Sequence, residues 1–415
     1  MSSESSAAEP QVSPRAFAYR DYRFFWAATA LISFAAQIMG ITVGLEVYLL
    51  TKNPFDLGLV GLSTFAPALV LVLVTGLVAD RFNRRVIIAI CSGIELLCAL
   101  ALVTYTAFGP TEVWPVFLIL VCIGTARAFA NPAASSLAPN VVPAPALASA
   151  IALNASAWQI ANIFGPVVGG VLASISVQLA FGTAAAFSAL AVCSVLMIAA
   201  PRQKISNQAT SIDTLLAGVR YIWHEKVVLG AISLDLFAVL LGGATALMPV
   251  FALDVLHVGA TGLGFMRAAP GIGAIPTALW LARNPVRDHA GHILFIFVAL
   301  FGFFTLVFGL SQWIWLTFPM LVLMGACDMV SVSIRETLMQ LWTPDEVRGR
   351  VNAVNSVFIG ASNELGEFRA GTMAAFIGAI SAVALGGAAT MAVSAIWSQA
   401  FPGLRKARRL DRREA

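Results

Sequence analysis

The chain has 415 residues, of which 59% are hydrophobic and only 11% are charged. Its mean hydropathy of +0.86 exceeds what a water-soluble core requires, which excludes an ordinary soluble globular protein. The formal net charge of +4 does not indicate nucleic-acid binding. In a membrane protein such an excess of basic residues reflects the orientation of the chain and contact with anionic lipid.

Apolar residues occur in twelve blocks long enough to cross a bilayer, which takes about 20 residues per helix. Backbone polar groups must be satisfied within each segment in lipid, so every block predicts a helix. The predicted fold class is therefore an all-α membrane protein with twelve transmembrane helices. In chain order the blocks are 24–50, 57–78, 86–108, 114–134, 147–173, 177–199, 227–253, 260–282, 291–310, 313–334, 351–375 and 379–400.

Lysine and arginine are concentrated in alternate loops, which predicts the orientation of the chain in the membrane. We place both termini in the cytoplasm and leave only Lys52 on the outer side. The cytoplasmic set comprises Arg15, Arg20, Arg23, Arg81, Arg84, Arg85, Arg202, Lys204, Arg220, Lys226, Arg283, Arg287, Arg335, Arg348, Arg350 and six residues between Arg405 and Arg413.

The chain divides into five predicted parts. These are a cytoplasmic segment (1–23), a six-helix bundle (24–200), a cytoplasmic linker (201–226), a second six-helix bundle (227–401) and a basic cytoplasmic tail (402–415). The first residues lack the order of a cleavable signal peptide, so the first block is expected to remain as a membrane helix. An apolar stripe in the linker, with Ser211 as N-cap, predicts a short helix in the cytoplasmic interface. The stripe comprises Ile212, Leu215, Leu216, Val219 and Ile222.

An internal repeat links the two predicted bundles. Residues 143–173 align without a gap with residues 344–374, each 201 positions later. An offset of about half the chain predicts two parallel six-helix halves related by an axis along the membrane normal. The matched pairs include Asn154 with Asn355, Asn162 with Asn363, Gly124 with Gly325, and, at an offset of 203, Gly61 with Gly264 and Pro67 with Pro270.

The loop between the second and third blocks carries four charges between two long apolar stretches. It resembles the Gly-x-Leu-Ala-Asp-Arg-x-Gly-Arg-Lys signature of major facilitator transporters, although an ordinary basic loop under the positive-inside rule is the alternative. Asn83 replaces a glycine where a positive φ is expected, and asparagine tolerates that best among non-glycine residues. The resemblance assigns a cytoplasmic gate to Gly76, Asp80, Arg81, Arg84 and Arg85.

The same resemblance implies a role for Asp80 in closing the cytoplasmic side. Asp80 is expected to approach the start of the eleventh segment near Asn352 in the outward-open state, where the helix dipole favours an anion.

The fifth block resembles the Gly-x-x-x-Gly-Pro-x-x-Gly-Gly signature of major facilitator exporters, whose small residues allow close helix contact. Ordinary small-residue packing is the alternative. The residues of the fifth block at the positions of this signature are Ala161, Gly165, Pro166, Gly169 and Gly170.

Three stretches of the second half resemble a narrower branch, the bacterial exporters related to the enterobactin exporter. They are 233–237, 328–335 and 362–368, and the resemblance extends over nearly the whole chain. Arg369 stands where an acidic or small residue is expected, which leaves the substrate open. The resemblance implies the major facilitator fold, with two pseudo-symmetric six-helix bundles around a central cavity. Arg127 and Ala134 also match a third family signature, whose glutamine and glycines are absent here.

Ionisable groups inside lipid-spanning helices are costly unless paired or wetted, so each is a functional hypothesis. The 201-residue offset maps Arg127 onto Asp328, and we predict that such cross-half pairs form in one access state and separate in the other. A carboxylate freed in this way would take up a proton. Permanent structural ion pairs are the alternative. The residues are Glu95, Arg127, Asp235 and Asp328 in the middle or cytoplasmic half, and Arg267, Glu364 and Glu367 in the outer half.

The leading interpretation is secondary active export of a small amphipathic molecule, siderophore or drug-like, by alternating access in exchange for protons. Proton-coupled uptake, and a non-transporting sensor or scaffold, are the alternatives.

No Gly-x-x-x-x-Gly-Lys-[Ser/Thr] run is present, so the expected energy source is the proton gradient, without a cofactor. The five cysteines and four histidines form no metal-ligand set, and no catalytic residues or nucleic-acid partner are predicted. A monomer is expected. The predicted cavity residues are Asn154, Trp158, Asn162, Asn355 and Asn363.

Overall fold

The computed structural model describes residues 16–109, 111–199, 212–286 and 288–406, and within these ranges the regular secondary structure is helical throughout. The predicted N-cap Ser211 lies outside the described residues. The helices are α1 (Arg20–Thr51), α2 (Pro54–Arg81), α3 (Arg84–Ala107), α4 (Trp114–Leu137), α5 (Leu147–Ile175), α6 (Val177–Leu196), α7 (Ile212–His224), α8 (Lys226–Gly242), α9 (Met248–Val250), α10 (Gly259–Arg283), α11 (Ala290–Leu310), α12 (Ile314–Trp342), α13 (Asp345–Ile377), α14 (Ala379–Ala400) and α15 (Pro402–Arg405).

Ten helical stretches of the described chain are long and apolar enough to cross a membrane. The all-α membrane class is therefore confirmed. Two further long helices, α10 and α13, are not among the ten. Both carry charges within their length, Arg267 in α10 and Glu364, Glu367 and Arg369 in α13. The two helices that fall short in apolarity are thus the ones that hold several of the predicted transport residues.

Side-chain caps explain why three of the helices begin where they do. Asn53 accepts a hydrogen bond from the backbone N–H of Phe55 at 3.1 Å, and Ser176 caps α6 through the N–H of Leu179 at 3.3 Å. Asn83 caps α3 in the same way, accepting from the N–H of Arg85 at 3.0 Å. Its φ is −64°, so the expectation of a positive φ there is wrong. Asparagine serves as a helix cap at this turn and needs no left-handed backbone.

The seventh predicted segment, 227–253, is not one continuous helix. α8 ends at Gly242, and the backbone leaves the helical region at Gly243 (φ −55°, ψ 119°). The chain resumes as a 3₁₀ turn (Thr245–Leu247), the short α9 and a π-helical turn (Phe251–Val255). Two adjacent glycines weaken the helix at this point, and Pro249 lacks the N–H that would continue it.

The tenth predicted segment, 313–334, is too short. α12 continues to Trp342, because Arg335 is buried at 3% exposure instead of marking the end of the apolar stretch. Arg335 was predicted to lie in a cytoplasmic loop. Its place inside the helix bundle adds a cation to the interior that sequence reasoning had assigned to the surface.

The packing of the helices follows the same pattern in both parts of the chain. In the first part α1 contacts α5 and α6, α3 contacts α4 and α6, and α2 contacts α4. In the second part α8 contacts α13 and α14, α11 contacts α12 and α14, and α10 contacts α12. Two extensive contacts cross between the parts, α5 with α10 and α2 with α13.

Close glycine contacts repeat in the two parts and fix the register of the repeat. A β-carbon on Gly170 would meet Ala260 and Gly264, and one on Gly371 would meet Pro54 and Gly58. Likewise, one on Gly124 would meet Thr64, and one on Gly325 would meet Pro270. Gly58 and Thr64 therefore correspond to Gly264 and Pro270, each 206 positions later. The predicted offset of 203 for this helix pair is corrected by about one helical turn, since glycine-rich and alanine-rich helices align almost equally well one turn out of register.

Buried apolar residues form a shared core on one side of the molecule and separate cores on the other. We call the side that carries Arg81–Arg85 the basic side, and the side that carries Lys52 the opposite side. The shared core includes Tyr48 of the first part and Phe251 of the second. Towards the basic side, one core contains Leu137 and another contains Leu338. The two parts are therefore packed together on the opposite side and have their own interiors on the basic side.

Candidate functional site

Glu95 in α3 and Arg127 in α4 form a buried ion pair. Arg127 Nε donates to Glu95 Oε1 at 3.1 Å, and the Glu95 side chain is only 3% exposed. The second carboxylate oxygen, Oε2, has no hydrogen-bond partner among the described residues. Both residues were predicted to take part in transport, and the structure brings them together within the first part of the chain.

A second charged cluster lies between α8 and α12. Asp235 forms an ion pair with Arg335, and both side chains are largely buried. Asp328 lies two turns before Arg335 on α12 and interacts electrostatically with both residues. Its carboxylate forms no hydrogen bond or ion pair with another described residue, and it is exposed to an internal space. Two acids and one base give this cluster a net charge of −1.

A third cluster lies where α13 meets α2. The position that a β-carbon would take on Gly61 is 2.6 Å from Glu364 Oε2 and 3.3 Å from Glu367 Oε2. Arg267 of α10 interacts electrostatically with both glutamates, and its Nη1 donates to the carbonyl of Thr245 at 3.2 Å. The two carboxylates are thus held against a glycine of the other part of the chain, and Arg267 is the arginine that interacts with both.

Arg127 and Asp328, the pair related by the repeat, are not partners in this conformation. Arg127 is bound to Glu95, and the group with which it interacts across the molecule is Glu364. Asp328 belongs to the cluster of Asp235 and Arg335. The structure therefore keeps each of these ion pairs within one part of the chain.

Of the predicted cavity residues, three serve helix packing. Asn154 accepts from the hydroxyl of Tyr22 at 3.1 Å, and Asn162 accepts from Gln37 Nε2 at 2.7 Å, so both join α5 to α1. Asn355 is buried at 4% exposure and donates to Glu336 at 3.3 Å. The other two residues are exposed, Trp158 at 56% and Asn363 beside an internal cavity.

The small residues of α5 lie at two helix contacts. A β-carbon on Gly165 would meet Gln37 of α1, and one on Gly169 would meet Ile38 and Ile41 of the same helix. Gly170 instead faces α10. Ala161 and Pro166 are buried beside these glycines. The segment therefore serves both the interior of the first part and its contact with the second.

The predicted gate residues lie at the basic side, within the first part of the chain. Asp80 Oδ1 is 3.9 Å from Arg84 Nη2, and Arg84 Nη1 donates to the carbonyl of Ser136 at 2.9 Å. Arg85 donates to the carbonyls of Val195 and Leu196 at the end of α6. A β-carbon on Gly76 would meet no atom within 4 Å, and Arg81 is exposed. In this conformation the partner of Asp80 is Arg84 and not the start of α13.

The structure also reveals a contact on the opposite side that sequence reasoning missed. The Tyr48 hydroxyl of α1 donates to Asp254, and Lys52 Nζ lies 3.7 Å from the same carboxylate. Lys52 also lies over the Tyr48 ring, 5.1 Å from its centroid. We call these three residues the outer contact. Sequence reasoning did not identify it, because the offset of 206 positions that relates Tyr48 to Asp254, and Gly58 to Gly264, became clear only from the helix contacts.

Two other functional side chains had a signal that was available. Arg335 follows Asp328 by seven residues, which places both on one face of a helix. Gln37 is a polar residue inside the first apolar block.

No group of three or more histidine, cysteine or acidic side chains suited to a metal ion occurs in the described ranges. Arg369, the departure from the family pattern, donates to the carbonyl of Gly243 at 3.4 Å and so contacts the break after α8.

Comparisons with known proteins identify the family. The family model described as transmembrane secretion effector matches residues 12–412. Enterobactin exporter EntS of Shigella boydii serotype 18 is 25% identical over 320 residues, which cover 76% of each chain. A bacterial homologue of the human lysosomal transporter Spinster, solved in an inward-facing and unoccupied conformation, has a TM-score of 0.70 at 16% identity and covers 94% of this chain and 97% of that one.

A transporter of the POT family, solved with a thioalcohol-conjugated peptide, has a TM-score of 0.74 at 11% identity, covering 93% of this chain and 96% of that one. Identities this low show a shared fold alone. The family model, in contrast, spans almost the whole sequence. The chain therefore belongs to the transmembrane secretion effector family and is a membrane transporter of the major facilitator fold.

Proposed function

We propose that this chain is a secondary active exporter that moves a small amphipathic organic molecule out of the cell in exchange for protons. In this proposal α10 and α13 also cross the membrane, which gives twelve transmembrane helices in two six-helix bundles, 24–200 and 227–401. The repeated contacts of Gly170 with α10 and of Gly371 with α2 support the pseudo-symmetry. The positive-inside rule places the basic side, with both termini, in the cytoplasm of the inner membrane.

The distribution of buried cores carries the proposal. Alternating access requires a molecule that is closed on one side while its interior opens on the other. Here the shared core and the outer contact hold the bundles together on the opposite side. Separate cores on the basic side leave each bundle free to move as a unit there. This arrangement corresponds to a transporter that is open towards the cytoplasm.

The contact between α2 and α13 suits proton coupling. Glu364 and Glu367 both lie against Gly61 when the opposite side is closed. Two like charges so close together in a poorly hydrated site repel each other, so a shared proton would stabilise the closed state. Separation of α2 from α13 would expose both carboxylates to water on the opposite side. The pair could thus exchange protons with one side or the other as the bundles move.

The substrate class follows from the relatives and from the interior. The curated relatives are enterobactin exporters, which supports export of a siderophore or of a drug-like amphipathic molecule. Trp158, 56% exposed on α5, would offer an apolar surface to such a molecule. The proposal places Trp158 and Asn363 on facing walls of the central cavity.

The test is transport by purified protein in liposomes loaded with a pH-sensitive dye. Siderophores and hydrophobic antibiotics are screened under an imposed proton gradient, and movement of substrate and protons in opposite directions is expected. Glu367→Gln should abolish the proton flux that accompanies substrate. Glu112→Gln, in an exposed loop between α3 and α4, is the matched control and should behave as the wild type.

Other results would assign the alternatives. Movement of substrate and protons in the same direction would establish uptake instead of export. No substrate-dependent flux with any compound, in protein that remains folded, would favour a sensor or scaffold. Unchanged proton coupling in Glu367→Gln and Glu364→Gln would contradict the assignment of the carrier residues.

A further inference from the structure

A cavity of about 190 Å³ lies inside the second part of the chain, beside the break that follows α8. Its walls combine the unwound backbone at Gly243, the rings of Phe301 and Phe308, and the thioether of Met324. Asp328 is the one charged residue in its lining, which also includes Asn363. A cavity of about 150 Å³ is large enough to hold benzene, so this one can hold a compact organic group.

The polar groups of this cavity are predominantly acceptors of hydrogen bonds. The carboxylate of Asp328 has no hydrogen-bond or ion-pair partner in the described part of the chain. The amide nitrogen of Asn363 already donates to the carbonyl of Ile359 at 2.9 Å, which leaves the amide oxygen free to accept. The C-terminal end of α8, at Gly242, adds the negative end of a helix dipole.

The charged residues that line the cavity and the smaller space next to it are acidic. A smaller space that shares Asp328 and Phe301 with the cavity is also lined by Asp235. Arg335 binds Asp235 and lines neither space. Arg267 and Arg369 are also absent from the lining, although they donate to the carbonyls of two lining residues, Thr245 and Gly243. The carboxylate of Asp328 is therefore the charge in direct contact with the cavity, and it favours a cation there.

We infer that this cavity is a substrate subsite for a protonated amine carried on a compact apolar group. The ammonium group would bind the carboxylate of Asp328 and the amide oxygen of Asn363. The apolar part would lie among Phe301, Phe308 and Met324, where aromatic faces also attract cations. The remainder of a larger substrate would extend past Asn363 into the central pathway. The inference deepens the proposed function and rests on it, since it names the class of molecule that the exporter carries.

Equilibrium binding to the purified full-length chain tests the inference without a proton gradient. The probes are dansylcadaverine, whose terminal amine is protonated at neutral pH, and its N-acetyl derivative, which has the same body without the charge. We expect the amine to bind at least about tenfold more tightly than the acetylated probe, because a charge-assisted hydrogen bond contributes about 1.5–3 kcal/mol.

Substitutions at Asp328 assign the charge to this residue. Asp328→Asn should remove the preference for the amine, Asp328→Glu should keep most of it, and the loop control Glu112→Gln should leave it unchanged. Equal binding of the two probes by the wild-type chain would overturn the inference. So would a full preference for the amine in Asp328→Asn. Since the wild-type comparison needs no variant, a misfolded Asp328→Asn does not prevent a decision.

The binding assay separates this inference from the proposed function. Amine binding that depends on Asp328, without proton-coupled transport in liposomes, would leave the subsite intact and reject the exporter proposal. Proton-coupled transport of an uncharged or anionic compound, with no preference for the amine in the binding assay, would support the exporter proposal and reject the amine subsite.

Discussion

Gly170 of α5 packs directly against Gly264 of α10, so closely that a β-carbon on Gly170 would lie 2.9 Å from the Gly264 Cα. The same contact recurs between α13 and α2, where a β-carbon on Gly371 would lie 2.9 Å from the Gly58 Cα. Glycine pairs of this kind allow two membrane helices to approach backbone to backbone. Both contacts join the two parts of the chain, and both lie in the half of the molecule that contains the shared core.

Substitution of Gly170 by alanine should therefore destabilise the closed opposite side. The added methyl group would meet the Ala260 carbonyl and the Gly264 backbone, neither of which can move without displacing a helix. Overpacking of this kind costs about 1–3 kcal/mol. The measurement is the thermal unfolding temperature of the purified variant. Gly182→Ala is the matched control, because a β-carbon there meets no atom within 4 Å. Equal unfolding temperatures for the two variants would contradict the packing argument.

The sequence predicted the all-α membrane class, and ten helical stretches of the described chain are long and apolar enough to cross a membrane, because lipid imposes a simple condition on length and apolarity. It failed at Gly242 and Gly243, since the residues on both sides of the break are apolar and a continuous helix satisfies the same condition. It also ended α12 at Arg335, because a buried ion pair is invisible until its partner, Asp235, is known.

The candidate site was predictable residue by residue but not pair by pair. Glu95 and Arg127 stood out as charges in apolar segments, which requires no knowledge of the fold. The repeat suggested Asp328 as a partner for Arg127, yet residues related by a symmetry axis occupy equivalent places in two bundles and need not touch. Which face of each helix turns inward depends on packing, and apolar surroundings on all sides blur the periodicity that would reveal it.

Loss of the outer contact should open the opposite side more often. In Asp254→Asn the Lys52 ion pair is lost and the hydrogen bond from Tyr48 loses its charge. Both groups of the ion pair are about half exposed, so we expect a combined effect of about 1–2 kcal/mol, roughly a 5–30-fold shift towards the outward-open state.

Labelling of a cysteine at Gly40 measures this shift. Gly40 lines a small cavity of about 40 Å³ between the two parts of the chain, and a β-carbon there would meet no atom within 4 Å. In a chain without its five native cysteines, a membrane-impermeant maleimide added from outside should label Gly40→Cys faster when Asp254→Asn is present. Glu112→Gln should not change the rate. An unchanged rate in Asp254→Asn would show that the outer contact has no part in closure.

The Glu95–Arg127 pair can be tested as a fixed or a moving ion pair. Glu95→Gln removes the charge that balances Arg127 and should destabilise the fold by about 2 kcal/mol, a value reduced for the partial exposure of Arg127. The double variant Glu95→Leu with Arg127→Met replaces both charges by apolar groups and should recover most of the loss.

Transport by the double variant then separates the two roles. If the pair is structural, transport should return together with stability. If Arg127 exchanges Glu95 for Glu364 during the cycle, transport should stay low although the unfolding temperature is restored. We expect the second result, because Arg127 already interacts electrostatically with Glu364 of the other part of the chain. Full transport by the double variant would identify a static clamp.

Asp80→Asn should reduce transport without reducing membrane insertion or stability. In the present conformation Asp80 is 3.9 Å from Arg84, a loose i,i+4 pair that contributes about 0.3–0.5 kcal/mol at most. Arg84 and Arg85 are held independently by carbonyl groups at the ends of α4 and α6. Asp80 is therefore free to leave Arg84 and approach Asn352 when the basic side closes. Asn352 was expected at the start of its helix but lies two turns inside α13, whose first turn carries Asp345 and Glu346, so the contact would be a hydrogen bond from the Asn352 amide and not a helix cap.

Three measurements on Asp80→Asn decide whether this contact matters. The amount of protein in the membrane and its unfolding temperature should match the wild type, since little in the observed conformation depends on Asp80. The rate of substrate-dependent proton flux in liposomes should fall, because the outward-open state loses a contact that the cytoplasm-facing state never makes. Glu112→Gln provides the control for loss of one surface carboxylate. A wild-type flux rate in Asp80→Asn would show that Asp80 has no role in closing the basic side. A fall in membrane insertion would instead show that Asp80 helps to set the orientation of the chain in the membrane.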